Sequence, residues 1–196
     1  MTYPVPELQA PPVKPNPRLL AAALLLGVAA CGSPAAAPAP APPSAPPPAV
    51  FGGTDLAWIE INIAMDEELL PLLALTPANG ASPSLKDLSA QVKAFTDEEL
   101  ATLRQLGEEA GIPAENQHKG MPMPGMVTPS LLASATGARG AGFDTMLTKA
   151  LREHLEQGHK LATSEQTAGA ESRTKALATS ILKTRADALR KLQKDF

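Results

Sequence analysis

Asp55-Leu-Ala-Trp-Ile-Glu-Ile-Asn-Ile-Ala-Met-Asp-Glu67 has a counterpart 89 residues further on, Asp144-Thr-Met-Leu-Thr-Lys-Ala-Leu-Arg-Glu-His-Leu-Glu156. The same offset, with no gap, sets Leu72 on Leu161, Gly80 on Gly169, Ala81 on Ala170 and Lys86 on Lys175. Leu88, Leu100 and Leu103 fall on Leu177, Leu189 and Leu192, and Val92 falls on Ile181. A repeat this regular reads as a duplicated helix pair, residues 54–111 and 143–196. Two helix pairs can build a four-helix bundle, an architecture that places metal sites between facing helices.

The local signals agree. The first helix is expected from Thr54 or Asp55, either of which can cap it, to about Leu75. Its apolar residues cover more than one stripe, which suits a helix with several neighbours. Pro71 within it predicts a kink. A second helix starts at Pro83 behind the cap Ser82, repeats its apolar residues at steps of three and four, and stops at Gly111 before Pro113. Thr128-Pro129 opens a short helix through about Ala135. A long helix follows from about Gly142 to Thr167, and a last one from about Ser172 to Gln193. In that last helix the basic residues, Arg185 among them, interleave with Leu177, Ile181, Leu182, Leu189 and Leu192 and read as a solvated face. Alternating runs are missing, so the fold class is all-α.

The ends concern targeting rather than folding. Residues 1–30 read as a signal peptide, with Lys14 and Arg18 before the apolar run Leu19 to Ala30. That run is shorter than the roughly 20 residues of a membrane-spanning helix. It ends in Val28-Ala29-Ala30-Cys31, which resembles a bacterial lipobox and makes Cys31, the single cysteine, the expected lipid acceptor. An ordinary signal peptide with an incidental cysteine is the alternative. The Pro/Ala-rich stretch through residue 50 would then be a semi-rigid tether, and residues 51–196 the folded domain. The expected location is the outer face of a bacterial membrane. With no cysteine left for disulfides, packing alone must hold the domain together. Loss of Lys14, Arg18 and Glu7 with the signal takes the formal net charge from −3 to −4. A mildly acidic chain argues against nucleic acid as a partner.

The order Asp-x-x-Trp…Ile-Ala-Met-Asp-Glu-Glu, then Met-Pro-Gly-Met-Val-Thr, then Phe-Asp…Arg-Glu-His-Leu-Glu resembles the domain-of-unknown-function 305 family over Phe51 to Leu192. The resemblance implies a small exported bacterial protein of ferritin-like, duplicated helix-pair architecture, of the lipoprotein type with a Pro/Ala tether. Some His- and Met-rich members are associated with copper. Each family repeat carries a His-His-Glu run on its first helix. Here those slots hold Met65, Asp66 and Glu67 in the first repeat and His154, Leu155 and Glu156 in the second. Only His154, Glu67 and Glu156 carry over from that motif.

Three groups of residues could carry chemistry. The loop His118-Lys-Gly-Met121-Pro-Met123-Pro-Gly-Met126 gathers three of the chain's six methionines beside a histidine. Thioether sulfur suits Cu(I), and imidazole accepts copper in either state. The same loop also reads as an apolar plug closing one end of the bundle, with methionine as filler. Glu156-Gln-Gly-His159 has the Glu-x-x-His spacing of di-iron sites. The offset puts Leu70 opposite His159, however, and the last helix has no glutamate after Glu171, so too many ligands are missing. Finally, Met65, Asp66, Glu67, His154 and Glu156 could meet across the repeat's pseudo-twofold axis, as a weak copper or zinc site or as a buried polar pair that sets helix register. No nucleophile has a base in a recognisable context, and Gly137-Ala-Arg-Gly-Ala-Gly142 follows no strand, so no enzyme is expected. The leading reading is a non-enzymatic, membrane-anchored lipoprotein that binds or buffers copper. Its ligands would be His118, Met121, Met123, Met126, Met65 and His154, supported by Glu67 and Glu156. The rival is a metal-free structural or interaction module of the cell envelope.

Overall fold

The computed structural model describes residues 50–195, which fold as five helices with no strand among them. The expected signal peptide, Cys31 and the tether lie outside the described residues. The helices are α1 (Gly53–Asn79), α2 (Pro83–Glu109), α3 (Pro129–Gly137), α4 (Gly140–Ala168) and α5 (Ser172–Asp195). The pairs α1–α2 and α4–α5 pack as hairpins, α1 lies on α4 and α2 on α5, and the short α3 covers α1 and α4. This is a four-helix bundle with one extra short helix.

Local chemistry sets most boundaries. Ser82 accepts the Leu85 N–H at 3.3 Å with Pro83 behind it, and Thr128 accepts the Leu131 N–H at 3.2 Å ahead of Pro129. Gly111, at φ 71°, turns the chain off α2, a conformation that a side chain would strain. α1 departs from expectation at both ends. It contains Pro71 as expected but runs on past Leu75, through Pro77, to Asn79, with both prolines on its exposed face. An interior proline costs about 3 kcal/mol. Leu72, Leu73, Thr76 and Asn79 are buried beneath this stretch, and that packing holds it helical. At the start, Gly52 is the cap residue; Asp55, three positions on, accepts the Gly52 N–H at 2.6 Å and also serves a different helix.

That role of Asp55 shows how the halves lock. Its carboxylate accepts the backbone N–H groups of Ala170 and Glu171, at 3.0 and 3.1 Å, just ahead of α5. Asp144, the equivalent residue in the second half, accepts those of Ala81 and Ser82, at 3.1 and 2.9 Å, just ahead of α2. The acceptors and the donors are each related by the 89-residue offset. Each half therefore satisfies the orphan amides at the start of the other half's second helix, and the carboxylate charge complements the positive end of that helix.

Apolar residues form two main clusters. One holds Leu69, Leu72, Leu85, Phe143, Leu147 and Leu151, with Val127 and Ala135 from the covering segment. The other holds Trp58, Ile59, Leu103, Leu106, Ala178 and Ile181.

Candidate functional site

Each long helix contributes one residue to a buried polar group: Asp66 from α1, Glu99 from α2, His154 from α4 and Arg185 from α5. The Arg185 guanidinium, 1% exposed, grips Glu99 with both terminal nitrogens, Nη1 at 3.0 Å from Oε1 and Nη2 at 2.7 Å from Oε2. Nη2 is also 3.8 Å from Asp66 Oδ1, and His154 Nε2 is 3.7 Å from that same oxygen. The guanidinium lies 4.8 Å from the Phe95 ring centroid, a cation–π contact. Gly158 makes the room, since a Cβ there would sit 3.0 Å from Arg185 Nε. Arg185 is thus no part of a solvated face. Glu99, which sits in the apolar register of α2, is its partner.

Burial governs the protonation of this group. It pushes the Asp66 carboxyl well above its usual range; Arg185 opposes this, while Glu99 and Glu67 add to it. Burial also raises Glu99, against the attraction and hydrogen bond of Arg185. It drives the His154 imidazole down to about 3, helped by the Arg185 charge and opposed by the Gly125 backbone. Burial thus favours the neutral forms of Asp66 and His154, beside the Arg185–Glu99 ion pair. The arrangement is one-sided. The position 89 residues before Arg185 is Thr96, and that 89 after Glu99 is Ala188.

The methionines divide. Met123 and Met126 pack with Met65 and Ala64 of α1, alongside Ile61 and Leu161. Met65 and Met126 are buried, while Met121 is 45% exposed. Gly125 brings the loop onto the helices. At φ 81° it favours glycine, and a Cβ would stand 2.7 Å from Gln157 Cβ, 2.9 Å from the Glu153 carbonyl and 3.2 Å from Met65 Cε. His154 lies in that same turn of α4, under the Gly125 backbone, which is near enough to act on the ring, and neither imidazole nitrogen makes a hydrogen bond of full geometry. Met65, Met123, Met126 and His154 are thus gathered around Gly125.

The other expected ligands stand apart from this group. The His118 backbone N–H donates to Asn116 Oδ1 at 2.9 Å, and its Nε2 is 3.8 Å from Glu60 Oε2. Glu67 turns toward α2 and pairs with Arg104 at 2.8 Å. Glu156 is exposed on α4. Helical geometry separates these carboxylates from the ligand group: Glu67 is two positions from Met65, and Glu156 two from His154, so neither shares a face with it. No cluster of three or more His, Cys, Asp or Glu residues suited to a metal occurs among the described residues.

A family model for a domain of unknown function, DUF305, matches residues 61–195. The chain belongs to the DUF305 family. Two solved DUF305 structures share its fold. A DUF305 fragment from Deinococcus radiodurans aligns with a TM-score of 0.67 at 14% identity, over 76% of this chain and 97% of the other. A DUF305 protein from Streptomyces coelicolor, whose description proposes secretion, aligns with a TM-score of 0.63 at 13% identity, over 71% of this chain and 89% of the other. No curated protein matches the chain in sequence. Sequence identities this low bear on the DUF305 fold and not on ligands.

Proposed function

We propose that this DUF305 protein is exported, is held at the outer face of a membrane through lipidated Cys31, and binds one soft metal ion, Cu(I), without catalysing a reaction. The ligands would be Met65, Met123 and Met126 with the His154 imidazole. The observation that supports this reading is the pairing of three clustered thioethers with a buried, neutral imidazole. A soft donor set of sulfur and nitrogen suits Cu(I) and poorly suits hard cations. Met121, exposed on the same loop, and His118 would be first contacts for the ion rather than part of the buried set.

Titrating the protein with Cu(I) against a competing chelator tests this. The wild type is expected to retain one equivalent. Met123→Leu/Met126→Leu and His154→Ala are each expected to weaken retention by more than the roughly 10- to 100-fold that loss of an outer-shell partner costs. Equal retention by the wild type and both variants would sink the proposal.

A second reading, a metal-free structural or interaction module of the cell envelope, is favoured by Arg185. Its guanidinium sets a buried fixed cation on Glu99, and the bundle then needs no ion to balance that carboxylate. Wild-type protein that holds no Cu(I) would leave this reading standing.

A further inference from the structure

We propose that Glu165 is protonated in the folded protein, and that losing this proton loosens the joint between α1, α4 and α5, so the domain is held more tightly in mildly acidic than in neutral or alkaline surroundings. The joint is built around Thr174. Its Oγ1 lies 2.8 Å from Asp55 Oδ1, 2.6 Å from Glu165 Oε1 and 2.8 Å from the Glu171 carbonyl oxygen. A threonine hydroxyl has one hydrogen to donate and lone pairs to accept. Three oxygens around one hydroxyl cannot all be served by that single hydrogen. If Glu165 carries a proton, it donates to Thr174 Oγ1, which passes its own hydrogen to Asp55, and the chain of donors closes.

The surroundings decide which carboxyl holds the proton. Asp55 already accepts N–H groups from Gly52, Ala170 and Glu171, at 2.6, 3.0 and 3.1 Å, so its charged form is well served. Glu165 accepts no backbone N–H; its Oε2 is buried without a partner, and the whole residue is 0% exposed. Glu171 directs its carboxylate to the Thr174 N–H at 2.8 Å and to Arg173, leaving Glu165 without its help. Lys175 is the one cation acting on Glu165, and its effect is the smallest among those on that carboxyl. The electrostatics agree with the donor count. Burial and the contact with Asp55 carry Glu165 up to about 7. The neighbouring Glu165 carboxyl, together with the hydrogen bonds from the Glu171 and Gly52 backbone and from Thr174, outweighs burial and holds Asp55 at about 2.

The device exists in one half only. The position 89 residues before Glu165 is Thr76, whose hydroxyl accepts from Ser89 at 2.9 Å, so the equivalent joint around Asp144 has no second carboxyl. Because the folded protein raises Glu165 above its unfolded value, its contribution is complete below the usual glutamate range. It is lost as pH rises through about 7.

Thermal unfolding of the full chain, wild type and Glu165→Gln, across pH 5 to 8 tests the proposal. Glutamine keeps a donor in place and cannot ionise. The two midpoints are expected to lie closest at pH 5 and to part as pH rises, the variant unfolding several degrees higher at pH 8. Asp66 and Glu99 are also raised by burial and tilt both curves alike, so the difference between the curves is the readout. Parallel curves would overturn the proposal. Should the variant not fold, the wild type decides alone. The side-chain carboxyl carbon of Glu165, assigned in the NMR spectrum, should titrate near neutrality, and its titration in the ordinary carboxylate range would overturn the proposal equally.

Discussion

Arg185 and Glu99 set the largest single-residue risk in the molecule. A buried ion pair contributes little net stability when intact, but removing one partner leaves a buried charge and costs about 3–5 kcal/mol. Glu99→Leu is therefore expected to destabilise by about that amount, and Glu99→Leu/Arg185→Met to recover most of the loss; chemical denaturation measures both. A double variant no more stable than the single would mean that the guanidinium was never the source of the penalty. The pair was only half legible in the sequence. Glu99 interrupts an apolar register, and Gly158 leaves space on α4, but Arg185 stands among basic residues that do face solvent. Nothing local distinguishes it from Lys183 or Arg190. By contrast, the equivalence of positions 65 and 154 was legible, because the offset compares the two halves directly.

At the scale of elements, the helix ends carry the information. Ser82-Pro83 and Thr128-Pro129 mark their starts by chemistry confined to a few residues, and the structure uses them as read. Asp55 and Asp144 cap helices more than sixty residues away in the chain, with separations of 115 for Asp55–Ala170 and 63 for Asp144–Ala81. No windowed pattern could show that. Asp144→Ala removes a half-buried cap and is expected to cost about 0.5–2 kcal/mol. Asp55→Ala should cost more, because it also strips Thr174 and Glu165 of a buried partner. The pH dependence of Asp55 has the opposite sign to that of Glu165. Its folded-state value is lowered, so its contribution is present above the usual aspartate range and disappears as pH falls through about 2. Equal losses for the two substitutions, measured at pH 6, would refute the asymmetry.

At the scale of the molecule, Trp58 and Phe143 sit in different apolar clusters, with helices common to both. A bundle whose helices run the length of both clusters should unfold as one unit. Phe143→Ala is expected to cost about 3–5 kcal/mol. It should shift the Trp58 fluorescence transition and the helical circular-dichroism transition together; separated transitions would show two independent halves. Anchoring is also a property of the whole chain. No described helix is long and apolar enough to cross a membrane. If Cys31 carries the anchor, Cys31→Ala should move the protein out of the membrane fraction, and retention there would place the anchor elsewhere.

The sequence by itself determined the helices, most of their limits and the duplication, because periodicity, capping residues and proline act within a few positions. Tertiary structure alone decided which polar residues are buried and with whom. Arg185 meets Glu99 across 86 residues, Asp55 crosses to the other half's helix, and Met65 joins the loop methionines while Glu67 and Glu156 turn away. The physical reason is that desolvation depends on everything that closes around a group, and the residues that close around these come from every part of the chain.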